Sequence, residues 1–209
     1  MGIYKKESIE TSYNFFKEYF ISSMLFSSVE GIRKYSIDKV LENIKVDDII
    51  LEFGVYKGES INFFSKILLK NNVNNIIYGF DSFEGLSNDW VGNVDHPKKI
   101  FDMKRKLPRI NSNIELIQGR VEKTLDDFLT RKKGNIIFVH LDLDLYLPTK
   151  FVLEKIKKRL SQDSILLFDQ MYGYPGWEGH EYKALIEVFS KEEFKFIAFG
   201  QRQIAIKIK

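Results

Sequence analysis

The sequence predicts an α/β fold: an open, mostly parallel sheet of seven strands ending in an antiparallel hairpin, preceded by an N-terminal helical extension. Three observations carry this. From Asp47 onward, short apolar runs alternate with amphipathic segments, the mark of repeated strand–helix units. Runs such as Ile136-Ile137-Phe138-Val139-His140-Leu141 and Ile165-Leu166-Leu167-Phe168 are apolar on both faces, as strands covered by helices on each side must be. The last two apolar runs are separated only by Gly200-Gln201-Arg202, a hairpin spacing.

The elements follow in order. Residues 1–45 read as a helical extension, with aromatics bunched at Phe15, Phe16, Tyr19 and Phe20, a second apolar group at Met24, Leu25 and Phe26, and Gly31 as an interruption. The α/β domain spans 46–209. Strands are expected over 49–53, 75–80, 114–118, 135–141, 164–168, 194–199 and 203–208, and helices over 59–69, 123–131, 149–159 and 181–189. The stretch from Ser82 to Arg109, with Phe83, Trp90 and His96, is too long for an ordinary connection. It is expected to carry a helix, a substrate-covering loop, or both. For the extension, a homodimer surface and a substrate lid are both open.

Composition removes several classes of function. With no cysteine, disulfide scaffolds, thiolate chemistry and cysteine-ligated metals are excluded. A net charge of +3 does not argue for nucleic acid or a membrane surface. The basic stretch Lys98-Lys99 and Lys104-Arg105-Lys106 reads as a solvated helix face. No run approaches the roughly 20 apolar residues of a membrane span, and the start lacks the apolar core of a signal peptide. Lys6 stands where N-myristoylation of Gly2 would want Ser or Thr. A cytoplasmic protein with a small-molecule partner is the expectation.

In an open parallel sheet, ligands bind beyond the carboxyl ends of the strands. After the strand at 49–53 comes Glu52-Phe53-Gly54-Val55-Tyr56-Lys57-Gly58-Glu59-Ser60. Gly54 and Gly58 allow a sharp turn and close backbone approach, the following helix start supplies free N–H groups, and Glu52 suits a cationic ligand group. Tyr56 breaks a dinucleotide fingerprint, and no Gly-Lys-Ser/Thr follows for a P-loop. Asp81 and Ser82 end the next strand. Asp81 lies about 20 residues beyond Gly58, the separation of a ribose-binding acid, although a helix or turn cap accounts for it equally. Gln118-Gly119-Arg120 forms the corresponding corner where an adenine would lie. Asp142 and Asp144 follow the next apolar strand, and Asp169 with Gln170 the one after. Buried acids are paired, solvated or bound to cations, so Asp142 and Asp169 on adjacent strands suit a divalent ion such as Mg²⁺. Capping by Asp144 and Asp169 is the plain alternative. The segment Tyr172 to Tyr182 is expected to wall a substrate pocket, with His180 a candidate base and His140 a hydrogen-bonded core residue that orients its neighbours.

Together these segments resemble the class I S-adenosylmethionine-dependent methyltransferases, with their Rossmann-like sheet, and more closely the macrocin O-methyltransferase (TylF-like) group. Glu52-x-Gly54-x-x-x-Gly58 matches the first motif, with Tyr56 at the middle glycine position, where that group also tends to carry an aromatic. Phe80-Asp81-Ser82-Phe83-Glu84-Gly85-Leu86, Gly119-x-x-x-x-Thr124-Leu125 and Asp142-x-Asp144-Leu145-Tyr146-x-x-Thr149 match further elements. The resemblance covers about residues 48–195. It implies that Glu52, Gly54 and Gly58 surround the methionine end of the cofactor, Asp81 the ribose, and Gln118, Gly119 and Arg120 the adenine, with Tyr56, Ser60 and Ser82 also in the cofactor site. By analogy with metal-using relatives, which follow the fifth strand with an acidic residue and an Asp or Asn, it implies a Mg²⁺ site at Asp142, Asp169 and Gln170, where Gln170 departs from the pair and removes a formal charge.

The function so implied is methyl transfer to a hydroxyl of a sugar or other small molecule. Mg²⁺ on Asp142 and Asp169 would activate that hydroxyl, or Asp142 or His180 would act as base directly. A nicotinamide-dependent oxidoreductase is the alternative, disfavoured by Tyr56 crowding the phosphate turn. A non-catalytic binding protein on the same sheet is the other.

Overall fold

The computed structural model describes residues 2–88 and 101–209. Trp90, His96 and Lys98-Lys99 lie outside the described residues. The chain opens with α1 (Ile3–Phe20), β1 (Met24–Leu25) and α2 (Val29–Leu41), then alternates β2 (Ile49–Phe53), α3 (Glu59–Lys70), β3 (Ile77–Asp81), β4 (Ile114–Gln118), α4 (Val121–Arg131), β5 (Ile136–Leu141), α5 (Tyr146–Ile156), β6 (Leu160–Phe168), α6 (Glu181–Val188), β7 (Phe194–Phe199) and β8 (Ile204–Ile208).

The strands form one sheet in the order β1-β7-β8-β6-β5-β2-β3-β4. Strands β2 to β6 are mutually parallel, and β8 runs antiparallel to both β6 and β7, as the terminal hairpin required. The sheet has eight strands rather than seven. The extra one is β1, which pairs parallel with β7 at the edge where the sequence reads as helix. Local chemistry explains the difference. Phe26 N–H donates to the Phe199 carbonyl at 2.8 Å, and the Ser28 hydroxyl then caps α2 by accepting from Gly31 N–H at 3.1 Å. Gly31 therefore lies in the first turn of α2 and interrupts nothing. A Cβ there would stand 2.9 Å from the Phe26 ring.

Alternation along each strand sorts side chains onto two faces. Leu51 and Phe53 of β2 join one core with α4, α5 and α6, whereas Ile50 joins the other with α3. The first 45 residues contribute to both. Phe16 of α1 is fully buried in the first core, its ring 5.4 Å from Trp177 and 5.7 Å from Phe199. Ile32, Ile37 and Val40 of α2 complete the second. No helix among the described residues is long and apolar enough to cross a membrane.

The α2 face is therefore expected to be a condition of stability. Ile37→Ala should destabilise by about 2–5 kcal/mol, read as a shift of the urea midpoint at unchanged slope. Deleting residues 1–45 should abolish cooperative unfolding.

Candidate active site

Strand order reverses between β2 and β5, so the loops leaving these strands diverge and open a cleft at their carboxyl ends. The cleft is built on backbone contacts. Asp142 N–H donates to the Phe53 carbonyl at 2.8 Å, and Gly54 N–H to the Phe80 carbonyl at 2.9 Å. Gly54 has φ 87°, and a Cβ there would lie 1.9 Å from the Asp142 carbonyl oxygen. Only glycine fits. Tyr56 follows in a left-handed conformation, φ 47°, and Gly58, φ 80°, starts α3.

Asp81 fixes this turn. One carboxylate oxygen accepts from Val55 N–H and Tyr56 N–H, both at 2.8 Å, and the other from Phe83 N–H at 2.6 Å. Three of about four acceptor positions are thus used, leaving room for one further donor. The turn forms one wall of a cleft at the carboxyl ends of the strands. Gly54, Tyr56, Asp81, Ser82, Gly119 and Arg120 line one part, and Asp142 to Leu145 with Pro148 the other. Phe101 also lines it, its ring 5.4 Å from that of Tyr56 in an edge-on pair. Sequence reasoning missed Phe101, because nothing local marks an aromatic that meets its partner only after the chain folds back.

Several predicted residues lie elsewhere. Glu52 does not line the cleft. Its side chain points to the α3 side of the sheet and is fully buried, one oxygen accepting from the Ser60 hydroxyl at 2.8 Å and the other 3.1 Å from His140 Nδ1. Ser60 and Gly58 are buried with it beneath the start of α3. The Gln118 amide turns outward to the Arg105 carbonyl at 3.2 Å. His180, read as a candidate base, is buried before α6 and lines a second groove with Tyr4, Leu147, Gly176 and Glu178. That groove shares Leu145 and Pro148 with the first cleft. The neighbouring Trp177 packs into the core against Phe15 and Phe16 of α1 instead of lining either.

At the other end, Asp142 and Asp144 line the cleft, and Asp169 and Glu181 join them from outside its lining. Asp142, Asp144, Asp169 and Glu181 act on one another electrostatically, and sequence reasoning missed Glu181 because one acid among aromatics and glycines reads as surface. Glu181 is fully buried and accepts from Gln170 N–H at 2.9 Å. Burial, then the charges of Asp144 and Asp169, push its carboxyl well above the usual range. Asp142 is raised likewise, by burial first and then by Asp169, Asp144 and Glu181, with Arg33 opposing. Asp144 is pushed up to about 7 by burial and Asp169. Asp169 goes the other way. Burial would raise it, but His140, Arg33 and Gln203 hold it down at about 2. His140 is fully buried. Desolvation would lower its pKa, but Asp169, 3.6 Å from Nε2, and Glu52 outweigh that and raise it.

His140, Asp142 and Asp169 each offer an atom within 4.8 Å of the others. This set does not fit Mg²⁺, which demands a near-octahedral shell of oxygens. One Asp169 oxygen already receives Arg33 Nη2 at 3.2 Å and the Gln203 amide. The other receives the Gln170 amide at 3.3 Å. Gln170 thus serves Asp169 as a donor where the expected metal set needed an oxygen ligand. Arg33, on α2, carried no signal in the sequence, being one cation among many on a helix taken as peripheral.

The family described as "Methyltransferase domain" matches residues 51–171, more than half of the chain. No curated protein matches in a sequence search. Among solved structures, the fold is similar to CalS11, a calicheamicin methyltransferase, with TM-score 0.69 and 24% identity over 85% of this chain and 77% of that one. It is similar to the O-methyltransferase NovP, with TM-score 0.66 and 16% identity over 86% and 79%. An O-methyltransferase from Bacillus cereus in complex with SAH matches all of this chain and 92% of its own, with TM-score 0.54 and 12% identity.

The raised carboxyl of Asp144 has a measurable consequence. Its proton is held more tightly folded than unfolded, so ionising it costs stability as pH rises from about 4, the ordinary Asp value, through about 7. Asp144→Asn removes that cost and tolerates the left-handed φ of 59° as Asp does. The variant should melt higher than the parent at pH 8, with the gain shrinking to nothing near pH 4 in a thermal series.

Proposed function

The chain belongs to the methyltransferase-domain family, S-adenosylmethionine-dependent enzymes of class I architecture, and from that premise we propose that it methylates a hydroxyl of a sugar or other small molecule. The observation that carries this is the contact between the Gly54 turn and Asp142 at the point where strand order reverses. It puts a carboxylate of raised proton affinity in the cleft beside the turn that leaves β2. CalS11, similar in fold, is described as a TDP-rhamnose 3'-O-methyltransferase, which supports a sugar acceptor here.

S-adenosylmethionine supplies an electrophilic methyl group on a positive sulfonium, already a good leaving group. What remains for the protein is binding, alignment and proton removal. Gly54 and the Val55–Tyr56 backbone admit the methionine end closely. The remaining acceptor position of Asp81 takes a ribose hydroxyl, while Gly119 and Arg120 border the adenine. Glu52 and Ser60 act indirectly, holding the turn and helix from beneath. Alignment of donor and acceptor contributes on the order of 7–11 kcal/mol.

Asp142 accepts the acceptor's proton at its carboxylate. The adjoining groove, which shares Leu145 and Pro148 with the cleft, receives the rest of the acceptor. His180 lines that groove and positions the acceptor there.

Calorimetric titration of S-adenosylhomocysteine tests the cofactor half. Asp81→Ala should weaken binding at least about tenfold, the value of one hydrogen bond to a charged group, and Asp81→Asn should lose less. Asp142→Asn should bind as the parent does and turn over about 10²–10⁴-fold slower, measured with a sugar-nucleotide panel. No binding by the parent sinks the reading.

A further inference from the structure

We infer that Arg33 brings to the Asp142–Asp169 pair, from within the chain, the positive charge that a divalent ion would otherwise bring, so that this site works without a metal. The guanidinium reaches in from α2, with Nη2 3.2 Å from Asp169 Oδ1, and its side chain is only 17% exposed. Its Nε is buried with no hydrogen-bond partner, so the cation is held where its own donors are incompletely used. A solvation demand of that kind is met by accumulated negative charge. Asp169, held ionised, provides it, and Asp142 lies within the same guanidinium's electrostatic reach.

Geometry and charge both exclude a competing ion. An entering dication would have to displace Arg33, the Gln203 amide and the Gln170 amide from Asp169, then sit beside an arginine that does not deprotonate. In return it would find two carboxylates and the His140 imidazole, with the neutral amide of Gln170 beside them. The same guanidinium acts electrostatically on Asp142 as well as on Asp169, so one fixed charge serves both members of the pair. This deepens the proposed methyl transfer and rests on it for the purpose of the charge. The claim about metal does not.

Manganese binding, by electron paramagnetic resonance and calorimetry on chelator-stripped full-length protein, reads the assignment directly. The parent should take up no Mn²⁺ at millimolar concentration. Arg33→Met should gain affinity by about tenfold or more, the scale on which residues around a metal site act, and lose it again when Asp142→Asn is added. Arg33→Lys should restore the parent's indifference. Uptake by the parent that depends on Asp142, or a folded Arg33→Met with no gain, overturns the inference. If Arg33→Met does not fold, the parent and Gln170→Asp decide: neither takes up Mn²⁺ while Arg33 remains, and uptake by either is the contrary result. S-adenosylhomocysteine is titrated into the same samples. Its failure to bind removes the methyltransferase reading and leaves the manganese result standing.

Discussion

A charge buried in a sheet must be answered by another, and the line Glu52–His140–Asp169 is where this fold meets that constraint. Glu52 and His140 lie in register on β2 and β5, and Asp169 follows β6 two residues past the register partner of His140. The three groups therefore share one face across the strands at which the sheet reverses. Leaving any one unpaired would cost several kcal/mol. The pairing holds the carboxyl ends of β2, β5 and β6 in fixed relation, and the two turns that form the cleft leave from those ends.

The same constraint draws in parts of the chain remote in sequence. Asp169 is met by Arg33 from α2, Gln203 from the turn before β8 and Gln170 beside it. The extension and the hairpin thus both end on one carboxylate. The extension's other tie is apolar, through Phe16 on one face of the sheet and Ile32 and Ile37 on the other. A segment that covers both faces and also delivers a charge to the site is part of the site's architecture. A detachable lid would carry neither burial.

Most of the sheet was legible because parallel strands covered on both sides must be apolar throughout. Strands β2, β4 and β7 run over the expected residues, β5 and β8 start one residue later, β3 is shifted by one or two residues at both ends, and β6 starts four residues earlier. What was not legible depended on long-range partners. A two-residue edge strand such as β1 has no periodicity to detect, and its Met24 and Leu25 are exposed. Within the site, Gly54, Asp81, Gly119 and Asp142 could be read because turns and strand ends carry local signatures. Glu52 was misread because its acidity suggested a ligand when its facing, set by β2 alternation, pointed it at Ser60 and His140. Arg33, Phe101 and Glu181 had no local signature at all.

The choice of base among the acidic groups follows from what surrounds each one. A base effective near neutral pH needs a pKa near the working pH as well as access to the reacting atoms. Asp169 has neither, since His140, Arg33 and Gln203 hold it ionised at about 2 and it does not line the cleft. Glu181 has a raised carboxyl but is fully buried and tied to the backbone of Gln170. Asp144 lines the cleft with a suitable value, but it occupies a left-handed turn closed by the 2.6 Å bond from Leu145 N–H to the Leu143 carbonyl, which fixes it as a corner residue. Asp142 combines a place in the cleft with direct backbone contact to the Gly54 turn. The ionised Asp169 beside it then works as a fixed charge that raises the proton affinity of Asp142, and Arg33 limits how far.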